Sequence, residues 1–206
     1  MKMKKIAILL IISALQFISC TPNDPFKNYS ADDSRVFLSN YNKNINYKNF
    51  KTFYLADSVF IIDRERVRIS QRSSNIYFIN LFKEKLIAKG YEITPKYAKP
   101  DLGITICRVA NSKVGQNSPT NIFFNYYWNY PLYGDTGFEY PGYYKDYEFG
   151  DTTWNIEIVD LKNAKANGKL NVVWNVQISG EGVFDEDNFQ YLLEKIFEIS
   201  TFLGHD

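Results

Sequence analysis

Apolar and polar residues alternate along two segments in the last third of the chain, 154–161 and 170–180, in the pattern of half-buried strands. The polar stretch 162–169 between them contains Asn167 and Gly168, which favour a turn. The two segments are therefore predicted to pair as a hairpin. Its apolar face is expected to hold alternate residues of both strands: Trp154, Ile156 and Ile158 on the first, and Val172, Trp174, Val176 and Ile178 on the second.

The same reasoning predicts three more strands and two helices. Segments 50–56, 91–94 and 102–110 are rich in apolar residues and are bounded by residues that favour turns or loops. Apolar residues recur at helical spacing over 73–90, behind the capping candidates Ser73 and Ser74, and again after the acidic residues 185–187. This order of elements predicts an α+β fold, with two helices packed on one face of a mainly antiparallel sheet.

The first twenty residues follow the pattern of an export signal. Lysines at positions 2, 4 and 5 precede the apolar run 6–15, which is too short to cross a bilayer as a helix. Ser19 followed by Cys20 resembles the bacterial lipobox, which predicts a signal peptide over 1–19 and lipidation of Cys20. Ordinary cleavage nearby, with Cys20 as an incidental thiol, is the alternative.

Lipidation would make the membrane the first partner of the protein, since several acyl chains on one cysteine hold a protein stably on a bilayer. The predicted location is the cell envelope, as an outer-membrane lipoprotein of either leaflet. Residues 20–49 carry prolines and many polar side chains and are interpreted as a spacer. Residues 50–206 are predicted to form a single domain, with an aromatic-rich insertion over 111–150.

Charge and motifs exclude several classes of function. The formal net charge is +1, so the basic surface that binds nucleic acid is not expected. A short cluster of arginines, read as the solvent face of a strand or loop, comprises Arg64, Arg66, Arg68 and Arg72. The chain contains no CxxC, HExxH, GxSxG or glycine-rich phosphate motif, so no metal, no cofactor and no enzyme activity are predicted.

The one cysteine beyond Cys20 is Cys107, which lies in a strand-like run and is interpreted as a packed thiol. The single histidine, His205, is the penultimate residue. A Cys/His catalytic pair is therefore not expected.

The insertion is unlike the rest of the chain, because aromatic residues crowd the stretch 123–149 among Asn, Pro, Gly and acidic residues. Tyrosine and tryptophan rings suit the recognition of a glycan or an envelope protein. The candidate ligand contacts are Tyr126, Tyr127, Trp128, Tyr130, Tyr143 and Tyr144. The alternative is that these rings pack back against the domain itself. The first hypothesis is therefore a non-enzymatic binding module, and a purely structural or assembly role in the outer membrane is a further possibility. The rival hypothesis, a glycan hydrolase, would use the carboxylates Asp135, Glu139, Asp146, Glu148 and Asp151.

Four segments together resemble a family of bacterial envelope lipoproteins, domain of unknown function 4136. They read YKNFKTFYLAD at 47–57, LFKEKLIAKGYEI at 81–93, KPDLGITI at 99–106, and IEIVDLKNAKANGKLNVVWNVQISGEG at 156–182. The resemblance implies a lipid-anchored α+β domain with no assigned catalysis, so no catalytic residue is transferred. Family members often have a Gly- and Trp-rich middle where this chain is Tyr-rich. The Asn, Lys and Tyr bias is typical of a Bacteroidetes-type genome.

Overall fold

A computed structural model describes residues 34–64, 66–110, 112–114, 127–128, 138–139, 147–149 and 153–204. The three short segments 112–114, 138–139 and 147–149 are described as backbone strands only. Contacts divide the chain into two units, 1–34 and 35–206, and the elements described below belong to the second.

The described strands are β1 (Val36–Tyr41), β2 (Thr52–Leu55), β3 (Val59–Asp63), β4 (Arg66–Ser70), β5 (Glu92–Ile93), β6 (Leu102–Ala110), β7 (Ser112–Val114), β8 (Phe138–Glu139), β9 (Tyr147–Phe149), β10 (Thr153–Asp160) and β11 (Leu170–Ser179). The described α-helices are α1 (Ser73–Ala88), α2 (Ala164–Asn167) and α3 (Phe189–Ile199). Single 3₁₀ turns occur at Tyr47–Asn49, Lys96–Ala98 and Glu186–Asn188.

Nine of the described strands form one sheet, in the order β1-β11-β10-β6-β2-β5. Strand β3 lies beside β6 beyond the end of β2, β4 pairs with β3, and β8 pairs with β11. The α+β class is confirmed, and the sheet is mixed rather than purely antiparallel, with most of its paired residues in antiparallel ladders. Strands β2 and β3 both run parallel to β6, because the chain crosses over through α1 before it enters β6.

Helices α1 and α3 pack on one face of the sheet, here called the helix face, as predicted. Their buried residues share a core with alternate residues of β6, β10 and β11. Phe78 of α1 stacks on Trp154 with ring centroids 4.2 Å apart, and Phe82 stacks on Trp174 at 6.2 Å. The Trp154 indole nitrogen also donates a hydrogen bond of 2.7 Å to the carbonyl of Val183.

A bulge in the β10–β11 hairpin corrects one prediction about this face. The register shifts between Ile158 and Val159, so that Ile158 lies opposite Trp174 and Val159 lies opposite Val172. Val173 is the extra residue. Side chains on the two sides of a bulge lose their simple alternation, and Val172 therefore belongs to the opposite core with Val159, away from Trp174.

The folded domain also begins earlier than residue 50. Strand β1 pairs antiparallel with β11 over its whole length. Tyr47 is buried, and its hydroxyl donates a hydrogen bond to the carbonyl of Val173. Residues 36–49 therefore belong to the domain, and the predicted spacer is wrong for that stretch. The Asn and Lys residues of this stretch obscured a strand at one end of the sheet, which is placed there by pairing with β11, far along the chain.

Candidate functional site

The face of the sheet opposite α1 and α3, here called the far face, carries a row of polar residues across four strands. In register, Asn40 lies beside Asn175, Asn175 beside Glu157, and Glu157 beside Thr105. A second row beside it contains Gln177, Asn155 and Cys107. We call these seven residues the polar band. All of them except Asn40 are at most 1% exposed.

Hydrogen bonds satisfy only part of the polar band. The Asn175 amide donates to Asn155 Oδ1 at 2.6 Å, and the Asn155 amide donates to Glu157 Oε1 at 3.1 Å. Within the described ranges, the Thr105 hydroxyl and both amide atoms of Gln177 lack a hydrogen-bond partner. Each such group destabilises a protein by about 1–3 kcal/mol when buried. The band therefore keeps polar groups in the interior at an energetic cost.

Cys107 lies in this band and is a packed thiol, as predicted. It is a free cysteine with no exposed surface. Burial raises the pKa of the Cys107 thiol, and the nearby charge of Glu157 raises it further. Because the thiolate is the nucleophilic form, this side chain is not prepared for nucleophilic chemistry.

Two of the six aromatic residues predicted as ligand contacts lie in the described part of the chain. Trp128 is fully buried on the far face, with the ring of Tyr127 4.9 Å away and that of Tyr54 5.9 Å away. A Cβ on Gly103 would lie 2.7 Å from the Trp128 ring, so glycine is needed there. Trp128 is thus a core residue and not a surface contact.

Tyr127 is also largely packed against the domain. Its ring lies 5.1 Å from that of Phe60, and its hydroxyl is 3.5 Å from the hydroxyl of Tyr54. Burial, followed by the hydrogen bond with Tyr54, raises the pKa of Tyr127. The other four predicted contacts, Tyr126, Tyr130, Tyr143 and Tyr144, lie outside the described residues.

Lys96 packs against the rings of Tyr127 and Trp128. Its ammonium lies 4.0 Å from the ring centroid of Tyr127 and 5.0 Å from that of Trp128. It also donates a hydrogen bond of 2.8 Å to the Tyr127 carbonyl, while burial lowers the pKa of Lys96. At residues 127–128 the structure therefore follows the self-packing alternative rather than an open recognition surface.

Several other predicted residues lie outside what the structure describes. These are Cys20 and the side chains of the carboxylates proposed for hydrolysis, Asp135, Glu139, Asp146, Glu148 and Asp151. The described ranges contain no group of three or more His, Cys, Asp or Glu side chains placed to hold a metal ion. Nor does any helix within them have the length and apolar character needed to cross a membrane.

A different site lies where β3, β4 and β6 meet the start of α1. A cleft of about 470 Å³, here called the arginine cleft, is lined by Arg68, Arg72 and Arg108 together with Ile61, Asp63, Ile69, Ser70 and Ala110. The strands position two of these arginines, since Ile61 pairs with Arg68 on one side and with Arg108 on the other. Arg72 is the residue that directly precedes the first turn of α1.

The three arginines concentrate positive charge on this cleft. In the part of the chain that the structure describes, none of them forms an ion pair, and Arg108 Nε is buried without a hydrogen-bond partner. The Arg108 guanidinium instead stacks 3.9 Å from the ring centroid of Phe184. Burial lowers the pKa of Arg108, and the charges of Arg72 and Arg68 lower it further. An arginine that is packed in place beside others of like charge is prepared to bind an anion.

The sequence interpretation of the arginines was only partly right. Residues 66–69 of β4 are exposed, as a solvent-facing strand requires. However, Arg68 and Arg72 face a cleft, which that interpretation excluded, and Arg108 was not considered. One signal was available: Arg108 continues the alternation of Leu102, Ile104 and Ile106, and a charged residue at the end of an otherwise apolar face is unusual.

The fold and the cleft define a class of protein: an α+β domain with a mixed sheet, two helices on one face and a basic cleft at the end of that face. Comparisons with known proteins agree with this architecture. The sequence model of a family described as a domain of unknown function, DUF4136, matches residues 38–200. The chain belongs to this family, as the resemblance of its motifs implied. A comparison with curated proteins gives no match.

The chain is also similar to solved structures, one of them from the same family. A DUF4136 family protein from Bacteroides thetaiotaomicron is 27% identical, with a TM-score of 0.63 over 84% of this chain and 99% of that one. A PDZ domain protein from Parabacteroides distasonis is 15% identical, with a TM-score of 0.44 over 84% of this chain and 37% of its own. A PelC dodecamer from Paraburkholderia phytofirmans is 10% identical, with a TM-score of 0.41 over 84% and 99%.

Proposed function

We propose that the protein is a lipid-anchored, non-enzymatic binding module of the cell envelope, which holds an anionic group of another envelope component in the arginine cleft. The observation that carries this proposal is the convergence of Arg68, Arg72 and Arg108 on one cleft. Among the described residues, Asp63 is the only acidic side chain that lines the cleft with them. The excess of positive charge is compensated most simply by a bound anion.

The chemistry of these groups supports binding rather than catalysis. Arginine stays protonated throughout the physiological range and donates hydrogen bonds without releasing a proton. It therefore holds an anion but does not act as a general acid or base. The buried thiol of Cys107, whose pKa is raised, offers no nucleophile either.

Binding of a small anion tests the cleft directly. Inorganic pyrophosphate titrated into the protein in a calorimeter is expected to bind, and Arg68→Gln and Arg108→Gln should each weaken binding about tenfold, as expected for loss of a charged hydrogen bond. Arg66→Gln is the matched control, because Arg66 is an exposed arginine of β4 that does not line the cleft. Equal weakening by all three variants would reveal general attraction to charge and overturn the assignment of the cleft.

The anchor needs a separate experiment. The arrangement of Lys residues, apolar run, Ser19 and Cys20 supports processing before Cys20 and acylation of its thiol and amino group. Mass spectrometry of protein extracted from the membrane fraction should find an N-terminal peptide that begins at Cys20 and carries acyl chains. Cys20→Ser should move the protein out of that fraction, whereas an unmodified Cys20 in the mature chain would remove the anchor from the proposal.

A further inference from the structure

Strands β3 and β4 form an edge hairpin whose two sides differ sharply. On the side of the arginine cleft, alternate residues of β4 are Arg66 and Arg68. On the other side, Val67 pairs with Ile62 and Ile69 pairs with Phe60, and Ile69 also borders the cleft. Ile62 and Phe60 are buried, whereas Val67 is 36% exposed and Ile69 is 66% exposed. The apolar layer of the far-face core thus continues past its buried edge into solvent.

The hairpin is also at the margin of the sheet. In the part of the chain that the structure describes, β4 pairs with β3 alone. A free edge with arginines on one side and aliphatic residues on the other has the composition of a segment that binds at a bilayer surface. Its arginines would meet phosphate groups, while its aliphatic side chains would reach the boundary of the acyl chains.

A soluble anion would account for only half of these features. It would satisfy Arg68, Arg72 and Arg108, but it would offer nothing to Val67, which does not line the cleft. A bilayer satisfies both sides, and the domain would already be held beside one if Cys20 is lipidated. Because a tethered domain meets its own membrane at high effective concentration, such a contact needs little affinity of its own.

We infer that the β3–β4 hairpin is a membrane contact, in which the arginine cleft receives the phosphate of an anionic lipid headgroup and Val67 and Ile69 enter the bilayer interface. This inference rests on the proposed function of the cleft and names the source of its anion. The contact would orient the anchored domain on the membrane.

The test measures binding of the full mature chain carrying Cys20→Ser to vesicles, so that acyl chains do not contribute. The protein should co-sediment with vesicles of equal parts phosphatidylglycerol and phosphatidylcholine. It should not co-sediment with vesicles of phosphatidylcholine alone. Arg68→Gln should weaken binding to the anionic vesicles about fivefold. Lys165→Gln, which removes an exposed charge from α2, is the control.

The aliphatic side of the hairpin is tested by the variant Val67→Ser, because Val67 does not line the cleft. It should weaken vesicle binding several-fold yet leave pyrophosphate affinity unchanged. Ile93→Ser is its matched control, because Ile93 is 50% exposed on β5, which pairs with β2 and is not part of the hairpin.

The outcomes separate this inference from the proposed function. If pyrophosphate binds in the cleft but anionic vesicles do not bind, or bind the Val67→Ser variant equally well, the membrane contact is overturned and the anion-binding function stands. If neither pyrophosphate nor vesicles bind, both are overturned. If the hairpin instead captures a soluble envelope protein in competition with pyrophosphate, the anion belongs to that protein and the membrane contact is again overturned.

Discussion

On the helix face, Trp154 and Trp174 are completely buried among the aromatic residues of α1 and α3. On the far face of the same strands, Asn155 and Asn175 are just as completely buried. Aromatic rings fill the first face. The second holds the polar band, in which several groups lack a hydrogen-bond partner among the described residues. The two faces are therefore equally buried but contribute differently to stability. Ring packing on the helix face stabilises the fold, whereas the far face holds polar groups where water does not reach them.

Removal of a large ring from the helix face should have the largest effect. Trp154→Ala is expected to destabilise the domain by about 3–5 kcal/mol. It removes the stack on Phe78 and leaves the Val183 carbonyl without its donor. Urea unfolding followed by circular dichroism measures this loss.

The corresponding ring on the far face is Trp128. Trp128→Ala should destabilise the domain less than Trp154→Ala, because the Trp128 indole nitrogen has no hydrogen-bond partner among the described residues. Equal losses for the two variants would remove the contrast between the faces.

Within the polar band, replacing a hydrogen-bonded side chain should lower the free energy of unfolding, whereas replacing a side chain with no partner among the described residues should not. Asn155→Leu takes the donor from Glu157 and the acceptor from Asn175, so a loss of about 3 kcal/mol is expected. Gln177→Met keeps the volume and removes an amide with no partner in the described ranges, so stability should stay equal or rise. The same unfolding experiment compares both variants, and a large loss for Gln177→Met would show that its amide has partners elsewhere.

The contrast also explains which parts of the fold could be predicted from the sequence. Helix α1 and the β10–β11 hairpin follow local periodicity, and both are where the pattern predicts them. The bulge at Val173 breaks that periodicity inside the hairpin, and alternation along β11 alone does not reveal it. Strand β1, which reads VFLSNY, was missed because the residues before and after it are rich in Asn, Asp and Lys and suggest a spacer.

The candidate sites were harder to predict than the fold. Alternation of Asn155 and Glu157 with apolar residues predicts a solvent face, whereas both faces of β10 are buried. The arginine cleft joins Arg68 and Arg72 to Arg108, about forty residues further along the chain. No local pattern contains that contact, because it depends on β3 and β6 lying parallel. The aromatic insertion drew attention by composition, but Trp128 proved to be core.

A smaller effect is expected where the far face meets the insertion. Gly103→Ala would place a Cβ 2.7 Å from the Trp128 ring and 2.9 Å from Leu161, and we expect a loss of about 2 kcal/mol from overpacking. Gly168→Ala is the control, since its Cβ would meet no atom within 4 Å and would suffer only the strain of a positive φ. Thermal unfolding of both variants gives the comparison, and a loss for Gly103→Ala no larger than the control would contradict the close packing of Trp128.

The smallest predicted effect is a dependence on alkaline pH that probes one tyrosine from each core. Burial raises the pKa of Tyr91, which packs in the helix-face core, and that of Tyr127, which packs against the far-face core. A folded-state pKa above the unfolded value of about 10 means that the native protein holds more protons than the unfolded chain above that pH. Stability should therefore be constant below about pH 10 and fall above it, by at most about 1.4 kcal/mol per pH unit for each tyrosine.

Single Tyr-to-Phe variants measure how much of this pH dependence comes from the tyrosine of each core. Tyr91→Phe and Tyr127→Phe should each reduce the alkaline slope of unfolding free energy, measured with urea from about pH 9 to about pH 11. Tyr97→Phe, at a ring that is 78% exposed, is the matched control. If Tyr91→Phe alone reduces the slope, the Tyr127 hydroxyl ionises as easily in the folded protein as in the unfolded chain. In that case the insertion at Tyr127 is open to solvent, and the aromatic recognition surface again becomes a competitor to self-packing.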